Sequence, residues 1–253
     1  MRINGILLLF VCIMALSSCG NDGPEDKSLS QEEYLNLGIP DPYKIWRSND
    51  FALAHAVLEN IKSTKPYNLP LKGSRKSGVV FDRMVSLENM DFLQDKSLHL
   101  VDKLRLSERF LRNCEDWIRL YTLDSQGKQY YHRELTISHL FGLKITEIML
   151  DLNNQIQLAG GNEEVDNDSY TDQVRSIYLS GLFNLIYEQS KISQFSKDDL
   201  KLITVHVIES VENSRSWMDE TVRNDLKQML QTVIDNTSLD NIKLRYKDLM
   251  ESL

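Results

Sequence analysis

The sequence predicts an all-α protein, an irregular bundle of about six or seven helices. Three observations carry this. Only 11 Gly and 5 Pro occur in 253 residues, too few for the many tight turns of a sandwich or barrel. Apolar side chains recur at spacings of three and four over long stretches, as one buried face of a helix requires. No convincing alternating run of strand length interrupts them. Composition bounds the rest: 42% of residues are hydrophobic and 26% charged, which supplies a core and excludes global disorder. With 29 Lys and Arg against 37 Asp and Glu, the net charge of −8 argues against a general nucleic-acid binder.

The first element is an apolar run from Ile6 to Leu16, preceded by Arg2. As a helix it would span about 16 Å, against roughly 30 Å for a hydrocarbon core, so it is too short for a permanent span. It has the length and flanks of a secretory signal. Leu16-Ser17-Ser18-Cys19-Gly20 follows, and this segment resembles the lipobox of bacterial lipoproteins. The resemblance implies cleavage before Cys19, a diacylglyceryl thioether on its sulfur, and a palmitate-type acyl chain on the new amine. It covers residues 1–20 alone. Several acyl chains anchor stably where one would be marginal. Gly20 stands where the family's inner-membrane retention signal has Asp, which implies the outer membrane of the cell envelope. Asp22, Glu25 and Asp26 resemble the acidic surface-export signal of some such lipoproteins, and both faces of that membrane stay open. The expected organisation is a signal peptide at 1–18, a lipidated Cys and flexible tether at 19–30, and one all-helical domain at 31–253. Cys12 leaves with the signal and Cys19 carries lipid, so Cys114 is alone and no intramolecular disulfide forms. A single Cys on a helix reads as buried packing.

Ser30-Gln-Glu-Glu33 is a capping-box pattern that opens a short helix ending near Gly38. Pro40 and Pro42 force an extended path. Phe51, Leu53, Ala54, Val57, Leu58 and Ile61 then predict a helix of about three turns, ended by Pro66. Residues 66–80, with a Lys72/Arg75/Lys76 cluster, read as a loop. Phe110, Leu111, Cys114, Trp117, Ile118 and Tyr121 predict a strongly amphipathic helix over 107–123. The stretch 133–158 is apolar nearly all round, which places it at the centre of a bundle, and 170–187 is similar. The two are expected as an antiparallel pair joined across 160–168. Ser196 and Asp219 cap the next two helices, and Ser238 is expected to cap a last one.

On the central helix His139, Thr146 and Asn153 are spaced by seven and so share one narrow stripe. Two readings compete: a polar seam hydrogen-bonded to neighbouring helices, or a polar pocket inside the bundle. His132, Glu134 and His139 are the close acid/base types of this region, and an enzyme would need them to converge in a cleft. Asp166, Asp168 and Asp172 place acidic side chains along one loop, as a Ca²⁺ site requires. The EF-hand template fails at Tyr170, Thr171 and Ile177, and the other reading is a solvated loop that caps the next helix. None of the five His has a tight ligand spacing, so neither a metal centre nor a cofactor is implied. Lys72-Gly-Ser-Arg-Lys-Ser-Gly78 lacks the Gly-Lys-Ser/Thr ending of a phosphate loop. Trp46, Trp117 and Trp217 read as packing aromatics. Taken together, the residues predict a membrane-anchored envelope lipoprotein that acts as a non-catalytic interaction module for a protein partner, for instance by neutralising a toxin or supporting a surface complex. The alternatives are an envelope enzyme on His132, Glu134 and His139, and a small-molecule or Ca²⁺ binder.

Overall fold

The computed structural model describes residues 26–63, 67–124, 131–161, 167–191 and 195–253. The signal segment, Cys19 and the tether up to residue 25 lie outside them. Nine helices follow in order among the described residues: α1 (Gln31–Asn36), α2 (Ser48–Lys62), α3 (Gly78–Met84), α4 (Leu100–Asp124), α5 (His132–Leu158), α6 (Asn167–Gln189), α7 (Lys197–Ser214), α8 (Glu220–Asn236) and α9 (Asp240–Ser252). Tight 3₁₀ segments occupy Leu87–Gln94 and Arg215–Trp217, and the described residues contain no strand. The all-α class follows from the sequence. No described helix is long and apolar enough to cross a membrane.

Local chemistry sets the helix starts. The Ser30 hydroxyl accepts from the Glu33 amide at 3.3 Å, and the Glu33 carboxylate accepts from the Ser30 amide at 2.7 Å, closing the capping box of α1. Gly38 ends that helix with φ 94°, a left-handed turn that a Cβ would strain. Ser196 accepts from the Asp199 amide at 3.1 Å to cap α7, and Asp219 from the Val222 amide at 2.8 Å to cap α8. Asp219→Ala is therefore expected to cost about 1 kcal/mol, read as a lower urea midpoint at unchanged slope. The last helix departs from expectation. Leu239, not Ser238, occupies its N-cap and supplies no side-chain bond, while the Thr237 hydroxyl accepts the Leu239 amide at 3.2 Å. Leu53 also departs: it is half exposed, outside the buried face of Phe51, Ala54, Val57, Leu58 and Ile61.

Two hydrophobic clusters share α5 and α6. The first gathers α1 to α5, with Trp46, Phe51, Phe110 and Phe141 packed ring edge to ring face at its centre. The second joins Leu143 of α5 and Tyr178, Leu182, Leu185 and Ile186 of α6 to α7, α8 and α9. This is why 133–158 is apolar nearly all round: opposite faces of α5 fill different clusters. A buried polar network ties the second one together. Gln189 Nε2 donates to Thr204 Oγ1 at 2.9 Å, and the Tyr246 hydroxyl donates to Gln189 Oε1, so α6, α7 and α9 meet at one satisfied amide.

The tether is not free through residue 30. Ser74 Oγ donates to Asp26 Oδ2 at 2.6 Å and Ser77 Oγ to the buried Ser28 Oγ at 2.8 Å, pinning 26–30 on the 71–77 loop. The physical reason is satisfaction: hydroxyls of that tight loop need partners where chain covers them.

Candidate functional site

Helix α5 lies between α4 and α6, which both pack along it and hardly touch each other. Its stripe of heptad-spaced polar side chains faces α6, hydrogen-bonded to it at both ends and open between them. At one end His132 Nδ1 lies 2.5 Å from Glu188 Oε2, with both residues buried. A carboxylate only accepts, so the imidazole N–H donates. At the other end Asn153 Nδ2 donates to Thr171 Oγ1 at 2.8 Å. These two contacts close the seam.

Between them the seam opens. The walls of α4 and α6 diverge over His139, Gly142, Leu143 and Thr146, leaving a cleft of about 490 Å³. Leu111 and Ile118 line the α4 side and Ile177 and Gly181 the α6 side. Glu115 and Arg119 stand exposed on one rim, and Ser176, Ser180 and Asn184 on the other. The Tyr170 hydroxyl donates to Glu108 Oε1 at 2.9 Å, bridging α6 to α4 toward the Asn153 end. Gly181 lets α6 come close against α5 at the edge of the cleft. At Gly181 a Cβ would lie 3.3 Å from Leu143 Cδ2, so even one carbon crowds the wall.

His139 sits at the floor, 9% exposed. Burial lowers its pKa from 6.5 to about 4, so at neutral pH the imidazole is uncharged. The Thr146 hydroxyl, two turns further along α5, is already engaged, donating to the Leu143 and Gly142 carbonyls at 2.8 and 3.1 Å. Glu115 on the rim has its carboxyl held above the usual range, first by partial burial and then by the Asp116 carboxylate beside it.

Glu134 belongs elsewhere. Two residues from His132 is about 200° round a helix of 3.6 residues per turn. Its carboxylate accepts the Lys72 amide at 2.8 Å and holds the basic loop to the start of α5. Burial raises its pKa, against backbone hydrogen bonds that lower it. His132 and His139, seven residues apart, are about 10 Å apart along the axis. The three acid/base residues thus reach three different surroundings.

Asp166 and the side chain of Asp168 lie outside the described residues. Asp172 is inside α6, not a loop, and its exposed carboxylate faces Arg175 at 3.4 Å. Cys114 is buried, its thiol pushed up to about 12 by burial, and its Sγ donates to the Ser138 carbonyl at 3.3 Å. It is a packing residue. Trp46 and Trp117 are buried likewise, while Arg175 lies over the Trp217 ring at 5.4 Å.

The cleft residues on α4 and α6 escaped the sequence reading. One signal for them exists: Ser176, Ser180 and Gly181 put small residues four and five apart on a helix whose residues from 177 to 187 are otherwise mostly large and apolar. No protein-family model, curated protein or solved structure matches the chain.

Proposed function

We propose that this chain is a lipid-anchored module of the cell envelope that binds a partner and performs no chemistry on it. The observation that carries the binding part is the α4–α5–α6 cleft, open to solvent and walled by three helices, with a neutral histidine at its floor. The acid/base groups named from the sequence are engaged or apart: His132 with Glu188, Glu134 with the Lys72 amide, and His139 in the cleft below the rim residues Glu115 and Arg119. Anchoring is supported by the residues themselves, an 11-residue apolar run from Ile6 to Leu16, two small side chains and then Cys19. Gly20 favours the outer membrane. The partner is a protein of the same compartment.

Two measurements test this. Cys19→Ser is expected to abolish metabolic fatty-acid labelling and to release the chain from membranes; retained labelling would overturn the anchor. A photo-crosslinking amino acid in place of Ser180, on the rim, is expected to give a discrete protein adduct in intact cells. No adduct above the level of a control position such as Leu244, exposed on α9, would overturn the partner reading.

A second reading is favoured by the size of the cleft: about 490 Å³ falls within the roughly 300–1,000 Å³ typical of small-molecule sites. The Ca²⁺ form of that reading has less support, since Asp172 lies in a helix and pairs with Arg175.

A further inference from the structure

The geometry points to the α4–α5–α6 cleft as a site for a small amphipathic molecule that carries an uncharged amide or hydroxyl group to His139 on an apolar stem. This deepens the small-molecule reading and rests on the cleft being the binding site.

The polar end follows from the floor. Of the buried residues that line the cleft, Leu111, Leu143, Thr146 and His139, only the last offers polar atoms without a partner among the described residues. A neutral imidazole presents one N–H and one lone pair. An amide or a hydroxyl, each both donor and acceptor, pairs with whichever of the two faces the cleft. A ligand that matches one of these atoms gains a hydrogen bond in addition to its apolar contact with the walls.

The charge state follows from the same place. Leu111 and Leu143 beside His139 offer no countercharge, so an ion brought there loses its water without repayment in contacts. The burial that keeps His139 uncharged acts equally on a ligand's carboxylate or ammonium. On the rim Glu115 and Arg119 oppose each other and select neither sign. The stem follows from Ile118 and Ile177, which face the cleft from α4 and α6 above its floor.

The probes are pentanamide, pentanoate and pentylammonium, which share one stem and differ in the end group. The full chain, embedded in lipid nanodiscs and labelled with ¹⁵N at histidine, is titrated with each while the His139 imidazole resonances are followed. Pentanamide is expected to shift them saturably. The two ions are expected to bind at least about tenfold more weakly, a difference of about 1.4 kcal/mol. Ser180→Trp, a change at an exposed rim position, is expected to abolish the shift by filling the mouth. By calorimetry His139→Phe is expected to weaken pentanamide about tenfold, and His139→Gln, which restores a donor and an acceptor, to recover most of that.

Equal affinity for an ion, or binding that survives Ser180→Trp, overturns the inference. So does the absence of any saturable shift. The Ser180 crosslink reads the site independently. An adduct without a preference for pentanamide removes the ligand class and leaves the binding cleft. Neither adduct nor probe binding removes both.

Discussion

Phe110→Ala is expected to destabilise the fold by about 3–5 kcal/mol. Phe110 is fully buried where three helices and the segment before α2 meet. Its ring lies 5.0 Å from Phe141 of α5, 5.4 Å from Phe51 of α2 and 6.1 Å from Trp46. Two of those contacts are edge to face, each adding about 0.5–1.5 kcal/mol beyond area burial. Alanine removes the ring from all three neighbours, and they cannot collapse together because each belongs to a different element. For a chain of this size the change corresponds to a fall in Tm of about 6–20 °C. Phe110→Leu, which keeps most of the volume, is expected to cost clearly less. Leu158→Ala, at a position 81% exposed, is expected to stay within about 0.5 kcal/mol of the parent. Urea melts of the three variants check this. A Phe110→Ala midpoint no lower than that of Leu158→Ala would show that the aromatic cluster does not hold the N-terminal half.

The second large effect is a loss of stability in mild acid that disappears with His139. The unfolded chain takes a proton on this imidazole near pH 6.5, while in the fold burial delays protonation to about 4. Between those values the unfolded state binds more protons, so stability falls as pH is lowered through the window and levels off below it. Above pH 6.5 the contribution is fully present. A gap of that size corresponds to about 3 kcal/mol. Glu134 acts in the opposite sense: its raised carboxyl takes up a proton in the fold before the unfolded chain does, which favours the fold as pH drops toward 4.5. The informative quantity is thus the difference between parent and His139→Gln. Unfolding free energies from pH 7.5 to 4 are expected to fall more steeply in the parent, with the gap opening below 6.5. Parallel profiles would mean that His139 is solvated and the cleft floor wet.

Much of the fold is legible because its signals are local. Ser30 with Glu33, Ser196 and Asp219 each satisfy an amide three residues on, so a short window of sequence contains the whole interaction. The amphipathic repeat of Phe110, Cys114, Trp117 and Tyr121 is a property of one helix, and it appears within Leu100–Asp124. Helix α3 and the 3₁₀ segment after it are too short for a period to develop. Leu53 fits the period of α2 yet has no neighbour to bury it, since periodicity shows which face a residue joins and not where the next element ends. Ser238 has the chemistry of a cap, but the chain turns one residue later.

The candidate site divides the same way. Spacing by seven is enough to place His139, Thr146 and Asn153 on one stripe, whatever packs against it. What lies across it, Ser180 and Asn184 on the cleft rim, Glu188 against His132 and Thr171 against Asn153 at the closed ends, comes from another helix and depends on register. Glu134 shows the converse: nearness in sequence to His132 suggests partnership, and the turn of the helix sends the two apart.

The pinning of residues 26–30 bears on how the molecule answers tension. A pull on the chain ahead of α1 is received first by Asp26 and Ser28, bonded to Ser74 and Ser77. That loop is itself bolted by the Lys72 amide to Glu134, at the first turn of α5. Force therefore runs sideways into the longest strut of the body and bypasses the six-residue helix α1, which would otherwise unravel from its free end.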